Sequence, residues 1–204
     1  MYKKFLFILL SGVISAARAD DCIDYKLTPK IVIDSPDWTK EVVQPLSPMD
    51  LLHGNVIATM VDNYDIIADI TPIEDGFCVG LKSVNATIGY SDFLVQIDIR
   101  HVPDSCSYNA ILSHEDQHIR AYLSVIDDFK ADLNQSVYSA ADAVMPIFVP
   151  LQSDIPAAVD KLNEKLQQHP DVVLIKQKIK AAEEIRNKRV DEYNNSDMLK
   201  KCFE

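Results

Sequence analysis

The chain has 204 residues, of which 31 are acidic and 20 basic, so its net charge is −11 with the histidines neutral. Such an acidic chain repels phosphate backbones and anionic lipid headgroups, which argues against nucleic acid and membrane surfaces as partners. Its length predicts a single domain.

The N-terminus has the three parts of a secretory signal peptide. Lys3 and Lys4 form a basic start, residues 5–17 are almost entirely apolar, and residues 17–19 (Ala-Arg-Ala) place small side chains at the cleavage positions. The apolar run is too short to cross a bilayer. We therefore expect cleavage after Ala19, a secreted or periplasmic protein, and no membrane association once the signal peptide (residues 1–19) is removed.

All four cysteines follow this segment: Cys22, Cys78, Cys106 and Cys202. An even number of cysteines in an oxidising compartment indicates two disulfides. Three pairings are possible, and we favour Cys22–Cys202, which would tie the chain ends together, with Cys78–Cys106. Zinc bound by cysteines is the weaker alternative, because the sequence contains no C-x-x-C pair.

The remaining chain, 20–204, changes character near residue 107. From 20 to 106, stretches rich in β-branched residues are separated by Asp, Asn, Gly and Pro, which is typical of short strands and turns. From 107 to 204 the pattern is helical, and prolines divide it. We expect one long helix from about Tyr108 to about Ala143, then helices over 156–168 and 171–193. This order predicts one α+β domain with a small, mainly antiparallel sheet followed by packed helices.

The long helix carries His114-Glu115-Asp116-Gln117-His118, which matches H-E-x-x-H. On a helical wheel His114, Glu115 and His118 face the apolar side, whereas Asp116 and Gln117 face the polar side. A carboxylate on an apolar face is costly unless it is neutralised, paired or hydrogen-bonded. Two histidines at positions i and i+4 can bind one tetrahedral Zn²⁺, with the glutamate placed to take a proton from zinc-bound water.

A zinc site with Glu115 as the catalytic residue and His114 and His118 as ligands is therefore the preferred interpretation. Two alternatives remain open. The three side chains could form a hydrogen-bonded cluster of the core, or the motif could be a coincidence.

With this motif on a helix that follows a strand, the sequence resembles the zincin metallopeptidases. More narrowly, it is similar to uncharacterised families of small secreted bacterial proteins described as zinc-dependent proteases. The similar features are the signal peptide, the strand FLVQIDIRHV, the segment SCSYNAILSHEDQH and a cysteine near the C-terminus. The resemblance implies that His114 and His118 bind zinc, that Glu115 is the general base, and that the sheet edge holds a peptide or protein substrate.

The sequence departs from the zincin pattern at three positions. Asp116 stands where zincins usually carry an uncharged residue. Ala121 and Ser124 stand at the glycine and third-ligand positions of the extended metzincin motif, which is therefore absent.

A catalytic zinc site also needs a third protein ligand. Glu183 is the preferred candidate, because it borders the apolar stripe of the last helix, and Glu192 and His101 come next. Each has a simpler role. Glu183 could pair with Arg186, Glu192 could be a solvated residue near a helix end, and His101 could pack at the end of a strand.

The sequence thus predicts an exported zinc-dependent hydrolase, preferably a metallopeptidase acting on a peptide or protein. The alternative is a non-catalytic exported binding or structural protein, in which the His/Glu cluster is a metal site or a core feature. The inward-facing Glu115 favours the hydrolase, because a structural metal site needs no buried carboxylate that is not a ligand. The unidentified third ligand and Asp116 favour the alternative.

Overall fold

The computed structural model describes residues 19–49, 53–194 and 202, so the expected signal peptide lies outside the described residues apart from Ala19. The described part contains five strands and three α-helices. The strands are β1 (Lys30–Asp34), β2 (Thr39–Val43), β3 (Gly54–Ile73), β4 (Gly76–Ile97) and β5 (Ile147–Val149). The helices are α1 (Cys106–Ala143), α2 (Ile155–Gln167) and α3 (Pro170–Asn194), and 3-10 segments lie at Ala19–Tyr25 and Gln152–Asp154.

β3 and β4 form one long antiparallel hairpin that turns at Glu74 and Asp75. The expectation of several short strands here is wrong, because the polar residues Asp62 and Asn63 lie inside β3 and do not form a turn. Both side chains are exposed, so the strand accommodates them without burying a polar group. Two register shifts, between Thr59 and Met60 and between Ile67 and Ala68, accommodate the hairpin's length.

β4 is the centre of the sheet and pairs with all four other strands. Along one edge it pairs with β3, and along the other edge it pairs in turn with β5, β1 and β2. The expectation of a mainly antiparallel sheet needs correction, because β1 and β2 both pair with β4 in parallel and the sheet is mixed. Period-two patterns show which face of a strand is buried, but they do not identify its partner.

The helical half confirms the α+β class. Ser105 caps the N-terminus of α1, where its hydroxyl accepts a hydrogen bond from the Tyr108 backbone N–H at 3.2 Å. α1 therefore begins two residues before the expected start and ends at the expected Ala143. Pro170 is the first residue of α3, where its missing N–H costs no intrahelical hydrogen bond.

α1 and α3 lie side by side in opposite directions. Near one end of the pair, the Ser139 hydroxyl donates to the Asp171 carboxylate at 2.7 Å. Further along, Arg186 donates to the Ser124 hydroxyl and to the Asp128 carboxylate. The C-terminal end of α3 is thereby brought beside the first turns of α1.

The core lies between the inner face of the sheet and the helices. β4 contributes most of the strand residues, because its alternate side chains face α1 and are fully covered. The largest completely buried side chains include Phe93, Val95 and Ile97 from β4, Val125 and Val137 from α1, and Leu162, Val172 and Ile179 from α2 and α3.

The two disulfides are Cys22–Cys78 and Cys106–Cys202, so the expected pairing is wrong. Cys22 lies in the first 3-10 segment, which packs against β4, and Cys78 is the third residue of β4. Cys106 is the first residue of α1, and the antiparallel α3 returns the chain to this point. Two disulfides fit a secreted or periplasmic protein. Among the described helices, none has the length and hydropathy required to span a membrane.

Candidate metal centre

His114 and His118 face each other across one turn of α1. Their Nε2 atoms lie 3.2 Å apart, and their rings are perpendicular, at an interplanar angle of 88°. The side chains are largely buried, with 16% and 12% of their surface exposed. The i, i+4 spacing therefore directs both ring nitrogens toward one point, as the motif predicts.

Asp191 of α3 completes a group of three potential ligands. Its Oδ1 atom lies 3.5 Å from His114 Nε2 and 3.2 Å from His118 Nε2. Within the described residues this is the one cluster of three histidine, cysteine or acidic side chains that could hold a metal ion. Because 54% of the Asp191 side chain is exposed, the cluster is open to solvent on this side.

The shape of this triangle matches a zinc site. Two ligand atoms that lie 2.0–2.1 Å from a tetrahedral zinc are about 3.3 Å from each other. The three edges measured here are 3.2, 3.2 and 3.5 Å. Two imidazoles and one carboxylate are also the donor set of catalytic zinc sites, which use three protein ligands and leave the fourth position open.

The opposite nitrogens of the two rings have different surroundings. His118 Nδ1 lies 2.8 Å from Asn187 Oδ1, on the turn of α3 that precedes Asp191. His114 Nδ1 is buried and has no hydrogen-bond partner among the described residues. An acceptor bound to the distal nitrogen orients a metal-binding histidine, so His118 has the second-sphere contact that such sites need.

Glu115 lies beside this cluster, on the sheet side of α1, and only 4% of it is exposed. Burial raises the pKa of its carboxyl group to about 7, with a smaller upward contribution from Asp191 and an opposing one from His118. Burial also lowers the pKa of His114, assisted by His118 and opposed by Asp191. Near neutral pH the cluster therefore contains a neutral imidazole beside a carboxyl group that can readily gain or lose a proton.

Gly54, the first residue of β3, makes room for the Glu115 side chain. A Cβ atom at position 54 would lie 2.5 Å from Glu115 Oε1 and 2.6 Å from Ile111 Cγ2, which is too close for either contact. The absence of a side chain at this point lets the carboxyl group lie directly against the backbone of β3.

The unusual Asp116 faces away from the ligands, as the helical wheel predicts. Its carboxylate binds Lys40 Nζ of β2 at 2.9 Å. This ion pair connects α1 to an outer strand of the sheet.

The three predicted candidates for the third ligand all lie outside the cluster. Glu183 accepts a hydrogen bond from the Tyr90 hydroxyl, Glu192 lies 3.6 Å from Lys188, and His101 Nε2 lies 3.0 Å from His53 Nδ1. The expected Glu183–Arg186 pair is replaced by the contacts of Arg186 with α1. Sequence reasoning missed Asp191, and the only signal for it is its i, i+4 relation to Asn187 on the face of α3 that meets α1.

The sequence matches no protein-family model, and neither a curated protein nor a solved structure matches the chain. What can be said of its function therefore rests on the chemistry of these side chains.

Proposed function

We propose that this chain is an exported zinc-dependent hydrolase whose substrates are peptides or proteins. The observation that supports it most is the triangle of His114 Nε2, His118 Nε2 and Asp191 Oδ1, with edges of 3.2–3.5 Å. These three atoms would hold the zinc ion, and the exposed side of Asp191 leaves access for a substrate.

A metal explains this arrangement better than an ion pair does. A histidine–aspartate ion pair needs a protonated imidazole, yet burial lowers the pKa of His114 and opposes that charge. The Nε2 atoms of His114 and His118 and the Oδ1 atom of Asp191 converge on one point, where each can present a lone pair to a metal ion. A divalent cation satisfies all of them.

Glu115 is the proposed general base. A zinc ion bound here supplies a Lewis acid that polarises the substrate carbonyl and increases the acidity of water. The Glu115 carboxylate accepts a proton from the attacking water and then donates it to the leaving amine. In the metal-free protein burial raises the pKa of Glu115 to about 7, so near neutral pH the group can both accept and donate a proton.

The edge of β3 supports a peptide as the substrate. Among the described strands β3 pairs with β4 alone, so its other edge keeps unpaired backbone N–H and C=O groups. β3 begins at Gly54, against Glu115. An extended peptide that adds to this edge would gain main-chain hydrogen bonds and pass close to the proposed general base.

Zinc content and peptide hydrolysis of three variants test the proposal. Glu115→Gln keeps the shape of the side chain and all three ligands, so we expect zinc binding to persist and hydrolysis to fall by about 10²–10⁴-fold. His118→Ala removes a proposed ligand, so zinc binding and hydrolysis should both be lost. Glu192→Gln, an exposed change on α3, is the matched control and should alter neither.

The second candidate is a metal-binding protein without catalytic activity. It is favoured by the close packing of Glu115 and Ile111 against Gly54, which a simple core residue would also show. This candidate predicts zinc binding with no hydrolysis in the wild type. It would be preferred if hydrolysis were absent, or if hydrolysis persisted unchanged in Glu115→Gln and so came from elsewhere.

A further inference from the structure

Asn187 of α3 contacts the proposed ligand His118 at the ring nitrogen that faces away from the cluster. Its Oδ1 atom lies 2.8 Å from His118 Nδ1, and its Nδ2 atom donates to the Glu183 backbone carbonyl at 3.0 Å. A carbonyl oxygen can only accept hydrogen bonds, so the Nδ2 side of the amide must face Glu183. The amide oxygen is therefore fixed toward His118.

This orientation determines the tautomer of His118. Two acceptors face the ring of His118: Asn187 Oδ1 lies 2.8 Å from Nδ1, and Asp191 Oδ1 lies 3.2 Å from Nε2. A neutral imidazole carries one proton, and the shorter contact places it on Nδ1, so that the lone pair is on Nε2. That lone pair points toward His114 Nε2 and Asp191 Oδ1. His118 is thus already in the form that binds a metal.

The same reasoning gives His114 the opposite tautomer. Its Nε2 atom lies 3.2 Å from His118 Nε2 and 3.5 Å from Asp191 Oδ1, and both of these atoms are acceptors. In the neutral, metal-free protein the proton of His114 is therefore on Nε2, where it can be donated. The buried Nδ1 atom, which has no partner among the described residues, keeps the lone pair.

We propose that Asn187 is a positioning residue that holds His118 in the Nδ1–H tautomer, so that His118 binds the metal without rearrangement while His114 must move its proton from Nε2 to Nδ1. This inference deepens the proposed metal centre and rests on it. Asn187 and Asp191 are one turn apart on α3, so a single face of this helix supplies both the third ligand and the group that orients the second.

The tautomers can be measured without any metal. Long-range ¹H–¹⁵N spectra of the ¹⁵N-labelled, zinc-free chain at about pH 8.5, well above the ordinary pKa of imidazole, distinguish protonated from unprotonated ring nitrogens. We expect His118 to be protonated at Nδ1 and His114 at Nε2. Zinc should change the tautomer of His114 only. A His118 that carries its proton on Nε2 in the zinc-free wild type would overturn the proposal.

Substitutions at Asn187 test its role in zinc binding. Asn187→Leu removes the acceptor, so we expect zinc affinity to fall by about 10–100-fold and His118 to lose its single tautomer. Asn187→Asp keeps an acceptor and should bind zinc at least as tightly as the wild type. Asn134→Leu is the matched control, because Asn134 donates to the carbonyl four residues earlier in α1, at 2.8 Å, but contacts neither histidine.

The outcomes separate this inference from the proposed function. Equal losses of affinity in Asn187→Leu and Asn134→Leu, or in Asn187→Leu and Asn187→Asp, would show a general effect on the helices and overturn it. If Asn187→Leu does not fold, the tautomer of His118 in the zinc-free wild type still tests the proposal. A chain with the expected tautomers and zinc affinities that cuts no peptide contradicts the hydrolase alone. Zinc-dependent hydrolysis with normal affinity in Asn187→Leu contradicts the inference alone.

Discussion

Asp191 Oδ1 lies 3.2 Å from His118 Nε2, and this contact joins the end of the last helix to the H-E-x-x-H turn of the first. Neither residue completes a metal site on its own helix. The proposed site therefore depends on how α1 and α3 pack together, and its properties should respond to changes on either helix.

Replacing Asp191 tests the third ligand directly. Asp191→Asn keeps the size of the side chain but removes its charge, so we expect zinc affinity to fall by more than the ~10–100-fold typical of a lost second-sphere partner. Competition for zinc with a chromogenic chelator measures the affinity of the variant and of the wild type. Glu192→Gln, the neighbouring exposed acid paired with Lys188, should bind zinc normally. Wild-type affinity in Asp191→Asn would exclude Asp191 as a ligand.

The raised pKa of Glu115 predicts a pH-dependent penalty on folding. The pKa rises from 4.5 to about 7, so between these values the folded chain binds more protons than the unfolded chain. Stability is therefore lost as the pH rises through this window, by about 3 kcal/mol at about 1.36 kcal/mol per pKa unit. Glu115→Gln cannot ionise, so the zinc-free variant should be about 2–3 kcal/mol more stable than the wild type at about pH 8 and similar to it at about pH 4.5.

Urea unfolding in the presence of a chelator gives the free energy of unfolding of the wild type and of Glu115→Gln at each pH. Because every other titrating group is shared by the two chains, its contribution cancels in the difference. A wild type that is more stable than Glu115→Gln at the higher pH would mean that the carboxylate is stabilised by charge, contrary to its burial.

The helix and the inward orientation of the motif could be predicted from the sequence because both are local. The apolar spacing fixes which face of α1 is buried, and prolines mark the end of the helix. That part of the site, His114, Glu115 and His118, needs only one turn of regular helix. The wheel predicts that Asp116 faces outward for the same reason; in the structure it is partly buried and pairs with Lys40 of β2.

The proposed third ligand and the sheet order could not be predicted because both depend on long-range packing. Glu183 and Asp191 are two turns apart on α3, and only the register of α3 against α1 decides which acid reaches the histidines. Likewise, the alternating burial of β1 indicates a buried face, but neither this pattern nor the sequence of β2 indicates parallel pairing with β4. The disulfide partners follow from the same packing, since α3 returns the chain to Cys106.

Gly54 offers a test of how closely Glu115 is held. Gly54→Ala would place a methyl group 2.5 Å from Glu115 Oε1 and 2.6 Å from Ile111 Cγ2, so we expect a loss of about 1–3 kcal/mol in unfolding free energy. Displacing the carboxyl group should also reduce hydrolysis while zinc binding persists. Gly80→Ala is the matched control in β4, because its nearest neighbours would be 3.6 Å away. Equal stability losses at the two positions would argue against a special role for Gly54.

The two disulfides should affect the proposed metal centre differently. They span sequence separations of 96 and 56 residues, so on the chain-entropy model removal of either costs about 4–5 kcal/mol. Only Cys106–Cys202 lies where the end of α3, with Asp191, meets the start of α1. Replacing both of its cysteines by serine should weaken zinc binding, because the third ligand is held less firmly, whereas replacing Cys22 and Cys78 should lower stability alone. Zinc titration at a temperature at which both double cysteine-to-serine variants are folded measures their zinc affinities. An equal loss of affinity in the two would trace the effect to general destabilisation and not to the position of Asp191.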